Sequence, residues 1–166
     1  MGPDGISPQV LRRCSRELAA PLTKLFVAIL RNNRWPQIWK TSHVVPVHKK
    51  CSRSEVANYR PVSLLSVVSK VLKGIITACL KSHLETQHLL SDRQFGFRKG
   101  RSAADLNLLL VSEWSDALDQ GRPTAVLVLD IAGTFYQMWH ATLLKRLYLL
   151  GVDGAKLELL HDYMLE

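Results

Sequence analysis

Residues 124–136 read Thr124-Ala-Val-Leu-Val-Leu-Asp130-Ile-Ala-Gly-Thr-Phe-Tyr136, a short apolar run followed by one carboxylate, a glycine and two aromatic residues. The consecutive apolar residues 125–129 predict a strand that is buried on both faces. An ionised aspartate does not stay inside such a strand without a partner, because burying an unpaired charge costs too much. We therefore expect Asp130 at the mouth of a sheet, facing a metal ion or the N-terminus of a helix.

Two interpretations of this stretch stay open when it is taken alone. Gly133 lets a backbone N–H approach a ligand closely, and the following aromatic residue can wall a pocket, which suits phosphate and metal chemistry. Alternatively, Asp130 caps a helix that begins near Phe135. The stretch by itself favours the cap.

The composition is that of a globular protein. With 166 residues the chain is one domain or a piece of a larger one, and its 47% hydrophobic content is enough for a core. No apolar stretch reaches the roughly 20 residues of a membrane helix, and the start lacks a secretory signal pattern, so we expect no membrane partner. The 3 cysteines match neither a disulfide framework nor a zinc site, which predicts an intracellular location, in the nucleus or the cytoplasm.

Charge is distributed unevenly along the chain. Residues 1–101 hold 18 Lys and Arg against 5 Asp and Glu, whereas residues 102–166 hold 4 against 9. A basic half joined to an acidic half is typical of proteins in which one part binds a polyanion. Many basic residues are merely the solvated face of a helix, but here they crowd into loops at 49–53 and 93–101. Nucleic acid is therefore the expected partner.

The pattern along the chain predicts a helix-rich α+β fold with few, short strands. Pro21 is expected to kink the first helical segment, Pro46 to mark an edge strand, and Trp35 and Trp39 to cover the core. The elements predicted, in chain order, are helices at 8–19 and 21–32, a hairpin of strands at 43–48 and 60–65, a helix capped by Ser66 and ending near 83, a loop at 91–101, a helix at 103–119, the strand ending at Asp130, a helix near 137–150 and a last helical piece up to 166. The inner face of the long helix is predicted to carry Val67, Val71, Leu72, Ile75, Ile76, Cys79 and Leu80.

Several motifs occur in one order along the chain: Gly2-Pro-Asp-Gly5-Ile6, Val45-Pro46 with Lys49-Lys50, Asn58-Tyr-Arg60-Pro-Val-Ser-Leu-Leu65, Gln94-Phe-Gly-Phe-Arg98 through Ser102, and Leu129-Asp130-Ile-Ala-Gly133. Together they resemble the reverse transcriptase domain of non-LTR retrotransposons, the LINE-like and jockey-like elements. The resemblance covers essentially the whole chain. It implies a right-hand polymerase, with residues 1–101 as the basic fingers subdomain and residues 102–166 as the incomplete start of the palm.

The resemblance implies template-directed addition of deoxynucleotides, with an RNA template, a DNA primer and deoxynucleoside triphosphates as partners. Two divalent metal ions, Mg²⁺ or Mn²⁺, assist that reaction. Asp130 matches the catalytic aspartate that is the first metal ligand of the family, and the carbonyl oxygen of Ile131 would join it. Gly133 would offer its N–H to the triphosphate, and Phe135 matches the aromatic residue that stacks under the sugar and excludes a 2′-hydroxyl. Phe135 as a core residue is the simpler alternative.

Basic residues of the motifs match contacts with nucleotide and nucleic acid. By resemblance, Lys49, Lys50 and Arg60 hold the triphosphate, a task that suits a planar guanidinium. The residues that match contacts with the template–primer backbone are Gln94, Arg98, Lys99 and Arg101. Simpler explanations stay open: Arg60 pairs with Glu55 or Asp92, and the basic residues after 93 are only a solvated loop.

Two departures from the family pattern matter. Thr134-Phe-Tyr136 stands where the family usually has Ala-Phe-Asp, which removes a carboxylate from the start of the next helix. The chain stops before the Gln-Gly turn and the hairpin with paired aspartates, and the remainder of the palm and the thumb are missing. Because one carboxylate cannot hold two catalytic metals, we expect a fragment that does not polymerise alone. The alternatives are a non-catalytic nucleic-acid-binding remnant and an unfolded remnant with an open sheet edge.

Overall fold

The computed structural model describes residues 2–131, 133–134 and 137–165. Its elements, in chain order, are α1 (Pro8–Arg13), α2 (Ser15–Asn32), α3 (Gln37–Lys40), β1 (His43–His48), a 3₁₀ turn (Val56–Asn58), β2 (Tyr59–Leu64), α4 (Val67–Thr86), α5 (Ala103–Asp119), α6 (His140–Leu149) and α7 (Gly154–Met164). This confirms the predicted helix-rich composition with few, short strands. Within these ranges, no helix combines the length and the hydrophobicity needed to cross a membrane. The elements form two compact units, one of Met1–Ser82 with Trp139–Glu166 and one of His83–Met138.

The first helix begins as predicted, but the first helical segment breaks at a different residue from the one predicted. Ser7 caps α1, because its hydroxyl accepts a hydrogen bond from the Gln9 N–H at 3.2 Å, and Pro8 occupies the first turn. The predicted boundary between two helices at Pro21 is wrong: the break lies at Cys14, and α2 continues through the proline. Burial of the apolar face of α2 in the core compensates for the hydrogen bond that a proline removes from a helix.

The predicted hairpin is confirmed. β1 and β2 pair in antiparallel orientation, with Val47 opposite Arg60 and Pro46 opposite Pro61. β2 begins at Tyr59, one residue earlier than predicted. The described residues contain this two-stranded sheet and no third strand, so both strands are edge strands, which confirms the expected position of Pro46.

The core of the first unit is built around two tryptophans. Trp35 and Trp39 are 6% and 5% exposed, which confirms their predicted place in the core. The cluster of buried apolar residues comprises Phe26, Ile29, Trp35, Trp39, Val68, Leu72 and Leu159. α2, α4 and α7 each contribute a helical face to it, so residues far apart in the chain depend on one another for burial.

α4 begins after Ser66 as predicted, and the Ser66 hydroxyl accepts a backbone N–H of the first turn at 3.2 Å. Its predicted inner face is only partly correct. Val71 and Ile75 are 43% and 48% exposed, whereas Val68 and Leu72 are buried. The prediction placed the buried residues on two neighbouring stripes of the helix. Only one stripe packs against the core, and its buried residues Val68 and Leu72 are four residues apart.

α5 matches the predicted range at both ends. Its start is a capping box: the Ser102 hydroxyl accepts the Asp105 N–H at 3.2 Å, and the Asp105 carboxylate accepts the Ser102 N–H at 2.7 Å. These two bonds satisfy backbone donors that the first turn of a helix leaves unpaired. The start of α5 is therefore set locally.

Residues 122–131 have no regular secondary structure, so the predicted strand ending at Asp130 is wrong. The apolar side chains at 127, 128 and 129 are 82%, 83% and 81% exposed. A strand needs a neighbour that exchanges backbone hydrogen bonds with it, and no strand in the described part of the chain pairs with this run. Asp130 therefore does not lie at the mouth of a sheet.

A carboxylate of α7 anchors this helix to the segment that follows α2. Asp162 accepts the Trp35 N–H at 2.7 Å and forms an ion pair with Lys40 at 3.0 Å. Burial raises the pKa of Asp162, but the hydrogen bonds from Trp35 and Lys40 outweigh this effect and hold the pKa below its usual value of 3.8. The ionised form of Asp162 is thus stabilised in the folded protein.

We expect Asp162→Asn to lower the free energy of unfolding by about 1–3 kcal/mol at neutral pH, because Lys40 loses its charged partner. Since the folded-state pKa of Asp162 lies below the unfolded value, its contribution is present above the usual pKa and is lost as pH falls through the folded pKa. The wild-type protein should therefore approach the stability of the variant below pH 3.8. Urea unfolding over a pH series measures the difference.

The matched control is Glu17→Gln, which neutralises an exposed carboxylate on α2. It should leave the free energy of unfolding within about 0.5 kcal/mol of the wild type, as is usual for surface substitutions. An Asp162→Asn variant that keeps the wild-type stability at neutral pH would show that the Asp162 carboxylate does not anchor α7.

Candidate functional site

Asp130 lies in the exposed irregular run of residues 122–131, just before a turn at Gly133 and Thr134. The alternative expectation, a helix cap, is also wrong, because α6 begins at His140, well beyond it. The Thr134 hydroxyl donates a hydrogen bond to the Ile131 carbonyl at 2.8 Å, which closes the turn. Asp130 and Ile131 are consecutive residues that carry a carboxylate and a carbonyl oxygen, the ligand types that hard cations prefer.

The described residues do not complete a metal site around Asp130. Within residues 2–131, 133–134 and 137–165, no group of at least three His, Cys, Asp or Glu side chains is placed to hold a metal ion. A pair of Mg²⁺ or Mn²⁺ ions needs several oxygen ligands held together. These residues therefore do not fit a two-metal centre, and no metal-dependent step can be assigned to them.

Gly133 adopts a left-handed backbone conformation with φ of +65°. A Cβ at this position would have space, since the nearest atom is Nε2 of Gln137 at 3.8 Å. Conformation, and not crowding, is therefore what favours glycine here. Donation of its N–H to a triphosphate stays a prediction. Phe135, the predicted sugar-stacking residue, lies outside the described residues.

The hairpin brings two of the predicted triphosphate-binding cations to its loop end. Arg60 lies opposite Val47, and the Lys49 N–H donates to the carbonyl of the opposite residue, Asn58, at 2.8 Å. Lys49 directly follows β1 and Arg60 is the second residue of β2, so the two cations are close together along the ribbon. Both side chains are exposed, as is Lys50 in the bend that follows β1. A cationic surface therefore forms at the loop end of the hairpin.

Two residues that shape this loop were not singled out from the sequence. The Asn58 side-chain amide donates to the Ser52 carbonyl at 2.8 Å, and the Tyr59 hydroxyl donates to the Arg53 carbonyl at 2.9 Å. Both bonds tie the loop to the start of β2. The sequence signal that could have identified them is their position directly before Arg60 in the same motif. A loop that holds a cation in one place needs a fixed shape, and the residues next to the cation are candidates for fixing it.

The simpler explanation for Arg60, an ion pair with Glu55 or Asp92, is not seen among the described residues. The Glu55 carboxylate accepts a hydrogen bond from the Asn58 amide at 3.2 Å, and Asp92 pairs with Arg101 at 3.1 Å. Arg60 is exposed, with no ion pair among the described residues. Its guanidinium is available to an external anion.

Arg98, predicted to contact the template–primer backbone, is bound to a carboxylate of its own unit. Its Nε and Nη2 donate to the two Glu85 carboxylate oxygens at 2.9 and 2.5 Å, and its Nη1 donates to the Ser91 carbonyl at 2.7 Å. These hydrogen bonds hold the pKa of the Glu85 carboxyl below its usual value and raise the pKa of the Arg98 guanidinium. Paired bonds of this kind fix direction as well as distance. Arg98 thus holds the end of α4 and the loop of residues 91–101 together.

The other predicted contact residues of this loop differ in their surroundings. Arg101 donates to the Asp92 carboxylate at 3.1 Å and also to the Asp92 backbone carbonyl. The Gln94 side chain donates to the Gly96 carbonyl at 3.2 Å. Lys99 is exposed and forms no ion pair in the described part of the chain. Contact of all these residues with nucleic acid stays a prediction, and Lys99 has the charge most accessible to it.

The sequence of this chain matches a known protein family. The family described as reverse transcriptase (RNA-dependent DNA polymerase) matches residues 47–164, which is more than half of the chain. The chain belongs to the reverse transcriptase family. The range matched to reverse transcriptases contains Asp130, the cations of the hairpin and the whole loop of residues 91–101.

Three curated reverse transcriptase relatives come from transposons. The chain is 33% identical over 140 residues, 84% of its own length and 15% of the relative, to a probable RNA-directed DNA polymerase from transposon X-element of Drosophila melanogaster. It is 26% identical over 151 residues, 89% of its length and 16% of the relative, to the RNA-directed DNA polymerase from mobile element jockey of the same species. It is 24% identical over 153 residues, 92% of its length and 20% of the relative, to the retrovirus-related Pol polyprotein from type-1 retrotransposable element R2 of Popillia japonica. The predicted resemblance to non-LTR retrotransposon reverse transcriptases is confirmed, and the chain spans a small part of each relative.

Proposed function

We propose that this chain is part of an RNA-directed DNA polymerase that adds deoxynucleotides to a DNA primer on an RNA template. The observation that carries the proposal is the family match over residues 47–164, which includes Asp130 and every predicted basic contact residue. Two of the relatives are named RNA-directed DNA polymerases, which supports this activity. In this proposal residues 1–101 belong to the fingers and residues 102–166 begin the palm of a right-hand polymerase.

The cationic surface of the hairpin supports a role in nucleotide binding. Diagonal residues of a two-stranded ribbon have Cα atoms about 7–8 Å apart, so the long side chains of two cations placed near one another at the end of the hairpin can reach the same triphosphate. The Arg60 guanidinium can donate two parallel hydrogen bonds to one phosphate, and Lys49 supplies a flexible point charge. Lys50 adds a further positive charge beside them.

Asp130 is proposed as one ligand of Mg²⁺ or Mn²⁺, together with the carbonyl oxygen of Ile131. Gly133 and Phe135 are proposed to contact the triphosphate and the sugar of the nucleotide. The remaining metal ligands belong to residues other than those described, because no group of acidic side chains gathers around Asp130. For this reason we propose that the chain of 166 residues does not extend a primer by itself.

Primer extension tests this function. The longest reading frame that contains these 166 residues is expressed and supplied with an RNA template, an annealed DNA primer, deoxynucleoside triphosphates and Mg²⁺. We expect extension by the longer protein and none by the chain of 166 residues. A longer protein with a complete set of metal-binding carboxylates that fails to extend the primer would contradict the proposal.

A second function, nucleic-acid binding without catalysis, is favoured by the distribution of charge. Residues 1–101 carry 18 basic against 5 acidic residues. The predicted contact residues Lys49, Lys50, Arg60 and Lys99 are all exposed. Positive side chains that replace the counterions of a polyanion bind it without reading its sequence. Such binding requires neither Asp130 nor a metal ion.

The salt dependence of RNA binding tests this second function. Binding of a labelled single-stranded RNA, followed by fluorescence anisotropy, should weaken steeply between about 50 and 200 mM salt. Lys99→Ala should reduce the slope of log K against log salt by about 0.7, the value for one phosphate contact on a single strand. The matched control is Lys156→Ala, an exposed lysine of α7, which should leave the slope unchanged. Binding that requires Mg²⁺ and is lost in Asp130→Ala would contradict a purely electrostatic role.

A further inference from the structure

The loop of residues 91–101 carries two aromatic residues with opposite surroundings. Phe95 is half-buried, and the Arg101 guanidinium lies 5.5 Å from the centroid of its ring. Phe97 is 83% exposed. One phenyl ring is therefore part of the packing of the loop, whereas the other faces solvent.

The backbone at Phe97 is in the left-handed region, with φ of +62°. A bulky residue with a Cβ rarely adopts this conformation, because the Cβ approaches the following carbonyl oxygen. A residue held in such a conformation persists where the surrounding structure imposes it. Burial does not offset the strain at Phe97, since its side chain is almost fully exposed, so the contacts of its neighbours must hold it.

Hydrogen bonds fix the loop on both sides of Phe97. On one side, the Gln94 side chain donates to the Gly96 carbonyl at 3.2 Å. On the other, Arg98 binds both carboxylate oxygens of Glu85. The exposed ring therefore projects from a loop whose shape is already set, and a ligand that binds it has little chain entropy to remove.

The same loop also carries exposed positive charges. Arg93 and Lys99 are both exposed, and neither forms an ion pair among the described residues. Proteins bind single-stranded nucleic acid with aromatic rings on which bases stack and with cations that contact phosphates, and this loop exposes both kinds of side chain. An apolar protein partner could bury the ring, but it would offer no negative charge to pair with Arg93 and Lys99.

We propose that Phe97 stacks against an unpaired base of a single-stranded nucleic acid whose phosphates contact Lys99. The proposal rests on the nucleic-acid binding put forward above. Phe97 would thus add an aromatic contact to the loop of residues 91–101, for which the sequence motifs predicted only polar and charged contacts.

The test separates stacking from charge in one binding assay. A labelled single-stranded RNA of about 12 nucleotides, within the usual site size, is titrated with wild type, Phe97→Ala and Lys99→Ala at several salt concentrations. Phe97→Ala should weaken binding by roughly 5- to 150-fold at every salt concentration and leave the salt slope unchanged. Lys99→Ala should lower the slope. A strand of the same length without bases should bind wild type and Phe97→Ala equally.

Two conservative variants distinguish the loss of stacking from a disruption of the loop by the substitution. Phe97→Trp keeps an aromatic face and should retain wild-type affinity, whereas Phe97→Leu keeps apolar bulk and should behave like Phe97→Ala. If Phe97→Ala binds RNA as tightly as wild type, or weakens binding to the strand without bases equally, the stacking proposal is wrong and nucleic-acid binding stands. If the wild-type protein shows no salt-dependent binding at all, both proposals fail.

Discussion

Trp35→Ala should remove about 3–5 kcal/mol from the free energy of unfolding, the usual cost of truncating a buried tryptophan. The Trp35 indole lies 6.2 Å from the ring of Trp39 and 4.9 Å from that of Tyr163, measured between centroids. Its Nε1 also donates to the Leu159 carbonyl at 3.0 Å. The substitution thus leaves a cavity between α7 and the rest of the first unit and removes the hydrogen bond from the indole to the Leu159 carbonyl. Urea unfolding followed by far-ultraviolet circular dichroism measures the loss.

The chain supplies its own control for this substitution. Trp139 is 80% exposed, so Trp139→Ala should change the free energy of unfolding by less than about 0.5 kcal/mol. Trp35→Phe keeps an aromatic ring but no N–H, and should fall between wild type and Trp35→Ala. Equal losses for Trp35→Ala and Trp139→Ala would mean that the first unit does not pack around Trp35.

Asp130→Asn should reduce primer extension by the longer protein by ~10²–10³-fold or more, the scale seen when one group that stabilises transition-state charge is removed. An amide keeps the shape of the side chain but not the charge that a divalent ion requires. The rate of nucleotide addition on an RNA template, measured with saturating nucleotide and primer, gives the ratio. Nucleic-acid affinity of the same variant should stay near that of the wild type.

Asp119→Asn is the matched control, because Asp119 is another exposed aspartate of the same unit, at the end of α5. It should leave the rate of extension unchanged. Retained activity in Asp130→Asn would remove Asp130 from the proposed metal site. A comparable loss in Asp119→Asn would indicate a general effect of lowering the negative charge of this unit.

Features set by neighbouring residues were predictable from the sequence. Ser102 with Asp105 predicts the start of α5, and Ser7 with Pro8 predicts the start of α1, because each cap is formed within one helical turn. The hairpin also follows from local pattern. The helix boundary expected at Pro21 does not occur, because the core contacts of α2, made with residues far along the chain, outweigh a local signal.

Features that depend on distant partners were not predictable. The run 125–129 has the composition of a buried strand, but a strand forms only beside another one, and composition does not say whether a neighbour is present. The motif resemblance located the candidate site residues, yet it gave no sign that Arg98 is bound to Glu85, a partner thirteen residues earlier. Side-chain pairing of this kind depends on how the loop folds back onto the end of α4.

The facing prolines of the hairpin affect how well a further strand can pair with its outer edges. The Lys49–Asn58 pair is hydrogen-bonded, and bonded and non-bonded pairs alternate along an antiparallel ribbon. Pro46 and Pro61 therefore form a non-bonded pair, at which the backbone N–H groups of ordinary residues would point outward. Proline has no N–H. The outer edge of β1 therefore lacks a hydrogen-bond donor at Pro46, and the outer edge of β2 lacks one at Pro61. A third strand, from this chain or from a neighbouring molecule, would lose one backbone hydrogen bond on either side, which disfavours aggregation through the edges of the hairpin.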